Sequence, residues 1–464
     1  MLARSALPRG PFQLLVRAAP PSRCGLATAT VSNPFHYTVG ESAGIKVASR
    51  DDGGPTTTLA VVARGGSRYE TAPGLAHGLE RFAFKNSRRS ALRLQRETEL
   101  LGGSLGSTLS RENIILRAKF LRDDLPYFVE ALADVLIHTK YNRTPSYFMQ
   151  FVVFNSHLVT TYEFNEQVAS TMAFELEKFH HTPAALALDT AHNVAFHRGL
   201  GSSRLALTNK YLTKKHITEY SKKVYSRGNI AVVASGAPQP DLEKWAAEFF
   251  KELPSGTGPA VVPAKYYGGE NRLFSPHGNA IVIAFPGSAS DPSFKVEYIV
   301  LAYLLGGKAS VKWNAGMSLL SQPASEVPHT AAVAKHVAYT DAGLLYVTIE
   351  GPGSALTQAG KNVVTAIKSL GEAKLEDVNR AIALAKFGAL ATAEDRSSGL
   401  EAVGQTVIAS GKAPQVEGVV KALDGVTVEA VKAAGKKLLE SKATFVAVGD
   451  TYLLPYAEDL GLTV

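Results

Sequence analysis

His77-Gly-Leu-Glu80-Arg81 sets an imidazole and a carboxylate three residues apart, followed at once by a guanidinium. On an α-helix, residues i, i+3 and i+4 share a face. Histidine, glutamate and histidine at those places would form the H-x-x-E-H zinc motif, in which two imidazoles hold Zn²⁺ and the glutamate polarises a metal-bound water. Here Arg81 stands at the second histidine position. A ligand must present a lone pair, and guanidinium has none and stays charged. The expected arrangement is an ion pair of Arg81 with Glu80 or another acid, with no metal and no catalytic residue. A helix should carry these residues, with Thr71 as its cap, Pro73 in its first turn, and Leu75, Leu79 and Phe82 packed inward.

Other candidates carry less chemistry. His180-His181 and the pair His192/His197 suggest a second metal cluster, but a spacing of five does not align on one helix face and no carboxylate set completes it. Gly102-Gly103-Ser-Leu-Gly106 lacks the Lys-Ser/Thr of a phosphate cradle, and no Gly-x-Ser-x-Gly lies in a strand–turn–helix setting. The single cysteine, Cys24, excludes an intramolecular disulfide and cysteine-rich zinc sites.

The elements that must position His77 and Glu80 recur along the chain. An apolar strand ends in a glycine turn at Leu59–Gly66 and again at Ala280–Gly287. A second strand follows at Asn113–Leu121 and at Gly343–Gly351, each leading into a long amphipathic helix. Each part closes on a strand, Asn229–Gly236 and Ala443–Asp450. Between them Leu253–Arg272 is crowded with Pro and Gly and reads as a linker. The pattern predicts an α+β fold of two tandem, duplicated domains, residues 33–252 and 273–464.

With 464 residues, 45% apolar and 19% charged, the chain has a globular composition. The longest uncharged run, Thr144–Tyr162, carries Gln150, Asn155, Ser156 and His157 and is no membrane span. Residues 1–32 hold Arg4, Arg9, Arg17 and Arg23 and no acid, the pattern of a mitochondrial transit peptide. Cleavage is expected between Arg23 and Ser32, with Arg23 as the determinant. Without those four arginines the net charge falls from +8 to +4, which gives nucleic-acid binding little support.

Gly74–Ser87, GLAHGLERFAFKNS, together with ELLGGSLGSTLSRENIILRAKF and LPYFVEALADVLIHTKY, resembles the pitrilysin/insulinase peptidases and in particular their mitochondrial processing-peptidase branch. The likeness runs from about Asn33 to the C-terminus. It implies paired α+β domains joined by a linker, and a third metal ligand for which Glu175 or Glu177 is the nearest match. Glu175 is read here as an exposed helix acid. It lies farther from Arg81 than the family spacing, by about the length of Asn142–Val159, an apolar segment read as an insertion. Tyr303–Gln322 aligns with a glycine-rich substrate loop but keeps only Gly306-Gly307 together. The ending VGDTYLLPYAEDLGL is similar to the catalytically lapsed core-subunit branch of this family. That resemblance implies a structural subunit of mitochondrial complex III, peripheral on the matrix side of the inner membrane. Its partners would be a second core subunit, cytochrome b, cytochrome c1 and the iron–sulfur subunit, in a dimeric complex. No cofactor of its own is expected. The alternative is the non-catalytic, presequence-binding subunit of the processing peptidase.

Overall fold

The structure is a computed structural model and describes residues 35–141, 163–290, 294–307, 316–322 and 326–464. The transit-peptide reading with Arg23, and Asn142–Val159, lie outside the described residues. Strand β3 (Thr56–Arg64) is buried from Thr57 through Ala63, as a run of consecutive apolar residues requires when both faces of a sheet are covered. It joins β1 (Thr38–Ser42), β2 (Ile45–Arg50), β4 (Ser104–Leu109), β5 (Asn113–Leu121) and β6 (Ile230–Ser235) in the order β1-β2-β6-β3-β5-β4. The second sheet runs β7-β11-β8-β10-β9, from β7 (Gly269–Phe274), β8 (Ala280–Gly287), β9 (Ala331–Ala338), β10 (Gly343–Glu350) and β11 (Thr444–Gly449).

The two sheets are the same design. β2 is parallel to β6 as β7 is to β11, and every other neighbouring pair in both is antiparallel. Among the described residues, β1 is the one strand without a counterpart. The duplication read from strand order therefore extends to strand direction and pairing. β7 begins at Gly269, inside the stretch read as linker.

The earlier part of the sequence carries the helices α1 (Leu75–Arg81), α2 (Ala91–Leu100), α3 (Leu125–His138), α4 (Ser170–His180), α5 (Pro183–Phe196), α6 (Lys214–Val224) and α7 (Gln239–Phe249). The later part adds α8 (Glu297–Leu305), α9 (Gly353–Lys368), α10 (Leu375–Glu394), α11 (Leu400–Ser410), α12 (Val416–Asp424) and α13 (Val428–Glu440). Leu59, Val61 and Ala63 of β3 face a core built with α1, α3, α6 and α7. Ala60 and Val62, on the opposite face by strand alternation, pack against Leu400, Val403, Val407 and Ile408 of α11. The second sheet mirrors this. Ile281 and Ile283 of β8 face the core of the later helices, while Val282 and Ala284 face Ala187, Ala191 and Ala195 of α5. Each sheet is thus roofed by one helix from the other part of the sequence. A β-carbon on Gly404 of α11 would come within 2.5 Å of Val62 Cγ2, so glycine permits the close seating of that helix.

Candidate functional site

Helix α1 begins later than the sequence suggested. Its cap is Gly74, at φ 86°, and Thr71 does not serve. Glu70 does part of that work instead, accepting the Ala76 N–H at 3.1 Å. A β-carbon on Gly74 would come within 2.6 Å of the Ala206 methyl, so the left-handed turn and the close contact both need glycine. Leu75, Leu79 and Phe82 pack into the core as expected. His77 and Glu80 are each 1% exposed, on a second face that meets α4 and β4.

The structure brings His77, Glu80, Arg81 and Glu175 together. Glu175, read as an exposed acid, is only partly exposed and bridges two of the others. Its Oε2 lies 2.8 Å from His77 Nε2, and its Oε1 lies 2.7 Å from Arg81 Nη2. The helical geometry of α4 turns it inward toward α1, while Glu177 points to solvent. Arg81 Nε lies 2.8 Å from Glu80 Oε2, and the Ser107 hydroxyl on β4 donates to Glu80 Oε1. Burial lifts the Glu80 carboxyl above its usual range, against the pull of Arg81 and Ser107.

The proton on His77 is fixed by its neighbours. The Ala206 N–H donates to Nδ1 at 3.1 Å, so the ring proton sits on Nε2 and points to Glu175. Burial holds the imidazole below its ordinary pKa although Glu175 opposes the shift. Metal-binding histidines carry their proton on the nitrogen away from the metal and donate it to an acceptor. At His77 that second nitrogen meets a donor. The site therefore has two obstacles to zinc, the guanidinium of Arg81 and the wrong imidazole tautomer.

Two results follow. Arg81→His is expected to bind no stoichiometric zinc and to cleave no presequence peptide; zinc near one per chain by elemental analysis, with chelator-sensitive cleavage, would contradict this. His77 itself should stay neutral below its unfolded pKa of about 6.5. A depressed native pKa means the unfolded chain binds more protons there, so this group's contribution to stability declines as pH falls below that value. Nitrogen chemical shifts of labelled histidine, assigned against His77→Gln, report both tautomer and titration.

His181, His192 and His197 serve the scaffold. His192 is buried in α5, where Nδ1–H donates to Leu188 O at 2.7 Å and Nε2 accepts from Tyr339 at 2.8 Å. His197 stacks on Tyr267 at 4.0 Å, and the His181 ring packs 3.9 Å from that of His277. The structure does not gather them into a cluster. Gly306 ends α8 at φ 66°, and Ser318 bonds to Gly307, while residues 308–315 of the shortened loop lie outside the described residues.

Sequence reasoning missed a second buried polar group. Arg68 pairs with Glu112 and Asp341, each at 2.6 Å, and Glu112 also accepts from Thr340 N–H and Gln405. Arg111 pairs with Asp189 beside a cavity of about 500 Å³ that Tyr339 and Glu401 also line. These residues come from the turn after β3, from the β4–β5 and β9–β10 turns, and from α5 and α11. Only long-range contact defines them, so no local spacing could have found them.

The chain belongs to the peptidase family M16, in keeping with its duplicated α+β design and the H-x-x-E helix of its first part. Residues 46–206 match the family model "Insulinase (Peptidase family M16)", and residues 211–384 match "Peptidase M16 inactive domain". The chain is 46% identical to "Cytochrome b-c1 complex subunit 2, mitochondrial" of Neurospora crassa, over all of both chains. It is 38% identical to the protein of the same name in Yarrowia lipolytica, over 92% of this chain and 97% of that one. A more distant relative is "Mitochondrial-processing peptidase subunit alpha" of Solanum tuberosum, 26% identical over 89% of this chain and 81% of that one.

Proposed function

We propose that this chain is a non-catalytic structural subunit of mitochondrial complex III, supporting assembly and stability of the ubiquinol–cytochrome c reductase. The observation that carries the reading is its full-length likeness to cytochrome b-c1 complex subunit 2, closer than its likeness to the processing-peptidase subunit. The geometry supports it: Glu175 already bridges His77 and Arg81, and the guanidinium fills the place of a metal ligand. Residues 33–252 and 273–464 form the peptidase-like domains, joined by the linker 253–272. Residues 1–32 are a transit peptide with Arg23 as cleavage determinant. The subunit sits peripherally on the matrix side, in contact with core protein 1, and with cytochrome b, cytochrome c1 and the iron–sulfur subunit in the same dimeric complex. No described helix is long and apolar enough to cross a membrane.

Native electrophoresis of detergent-solubilised inner membranes tests this. The chain should migrate with cytochrome b and the iron–sulfur subunit and be recovered with them by affinity capture. Recovery instead in a soluble heterodimer that cleaves presequences would establish the processing-peptidase reading.

A further inference from the structure

The two sheets share one design, but their outer edges differ. In the first, β2 is covered by β1, which pairs with it antiparallel from Thr38↔Ser49 to Ser42↔Ile45. The counterpart of β2 in the second sheet is β7, which pairs with β11 on one side. Among the described residues, no strand and no main-chain hydrogen bond reaches its other side. The Gly269 N–H bonds to Ala443 O and the Ser275 N–H to Gly449 O. Main-chain groups alternate in direction along a strand, so Glu270, Arg272 and Phe274 direct theirs to the open edge. An unpaired edge of this kind is a template for strand addition.

The surroundings of that edge specify what it takes. Phe274 is 69% exposed, Tyr452 95% and Tyr456 55%, an aromatic group in which the Arg272 guanidinium lies 3.7 Å from the Tyr456 ring centre. Arg272 also donates to the carbonyls of Thr451 and Leu454, and Glu270 accepts from the Ala457 N–H, so residues 451–457 lie on the same face of β7 as these side chains. The guanidinium is thereby engaged, while Asp450 and Glu458 flank this short loop and add negative charge to that of Glu270.

We propose that the open edge of β7 receives an extended, basic segment of another polypeptide of the complex as an antiparallel strand, in the place β1 occupies on the first sheet. Apolar residues at alternate positions of that strand would lie against Phe274 and Tyr452, and a lysine or arginine would face Glu270 or Asp450. The inference rests on the complex III reading above.

The test compares amide exchange in the assembled, purified complex with that in the isolated chain. The amides of Glu270, Arg272 and Phe274 should slow by at least tenfold on assembly, while those of Gly269, Asn271 and Leu273, already bonded to β11, change little. A photocrosslinker at position 274 in the complex should capture one short segment of a different subunit. Phe274→Pro removes an outward N–H without breaking the β7–β11 ladder. It should leave the isolated chain folded and abolish that protection at Glu270 and Arg272. Unchanged exchange of the three amides in a complex that contains the chain, or a crosslink only to a second copy of this chain, would overturn the proposal. Absence of the chain from the complex would instead overturn the functional reading.

Discussion

Expressed separately, residues 35–252 and 253–464 are each expected to fail to reach a stable fold, and on co-expression to recover a single native-like complex. The reason is the exchange of roofs between the two sheets. Removing the later fragment strips the first sheet of Leu400, Val403, Val407 and Ile408, leaving Ala48, Ala60, Val62, Ile115, Ala231 and Val233 open to water. Burial of a large aliphatic side chain stabilises by about 1.5–3 kcal/mol. Four of them approach the entire stability of an ordinary domain, about 5–15 kcal/mol. The same loss falls on the second sheet, because α5 leaves with the earlier fragment and uncovers Val282, Ala284, Val446 and Val448. Size-exclusion chromatography and thermal melts of the single and co-expressed fragments check this. Two separately soluble fragments with cooperative melts would show that the helix exchange contributes little.

The same exchange explains what could and could not be read from the sequence. The four-residue core of β3, Ala60-Val-Val-Ala63, announces a strand covered on both sides, because no residue along it is polar. It does not say which helix supplies the second cover. α5 and α11 are amphipathic in the ordinary way, and their partners lie across the chain. The edge strands escaped notice for a different reason. β4 carries Ser104, Gly106, Ser107 and Thr108 and alternates between exposed and half-buried residues, while β7 contains Gly269, Glu270, Asn271 and Arg272. Neither has the apolar content that marks a strand, and both take their conformation from the neighbour they pair with.

At the site, local spacing identified the helix face of His77, Glu80 and Arg81, because three- and four-residue offsets are fixed by helix geometry. It misjudged Glu175. An acid beside Glu177 and Lys178 reads as solvated, and only the docking of α4 against α1 turns it toward His77 and Arg81. The imidazole tautomer was also out of reach, since Ala206, whose N–H sets it, is more than a hundred residues away in the chain.

Arg68→Met is expected to cost about 3–5 kcal/mol, the usual result of breaking one member out of a buried ion pair. Arg68 and Glu112 have side chains only 1% and 3% exposed, so solvent cannot take over when the guanidinium is lost. Methionine replaces the stem but offers no donor, leaving Glu112 with only Thr340 N–H and Gln405. Asp341 and the carbonyl of Val262 lose a partner as well. Because Asp341 lies in the β9–β10 turn and Gln405 on α11, the damage should spread to the packing between the sheets. The double variant Arg68→Met/Glu112→Leu separates the two causes of instability. It removes the stranded carboxylate, so at least half of the lost stability should return, apart from the unpaired Thr340 N–H and Gln405 amide. Denaturant titrations of the wild type, both single variants and the double variant give the coupling energy directly. Additive losses in the double variant would mean that Arg68 and Glu112 act independently, each through its own packing rather than through their ion pair.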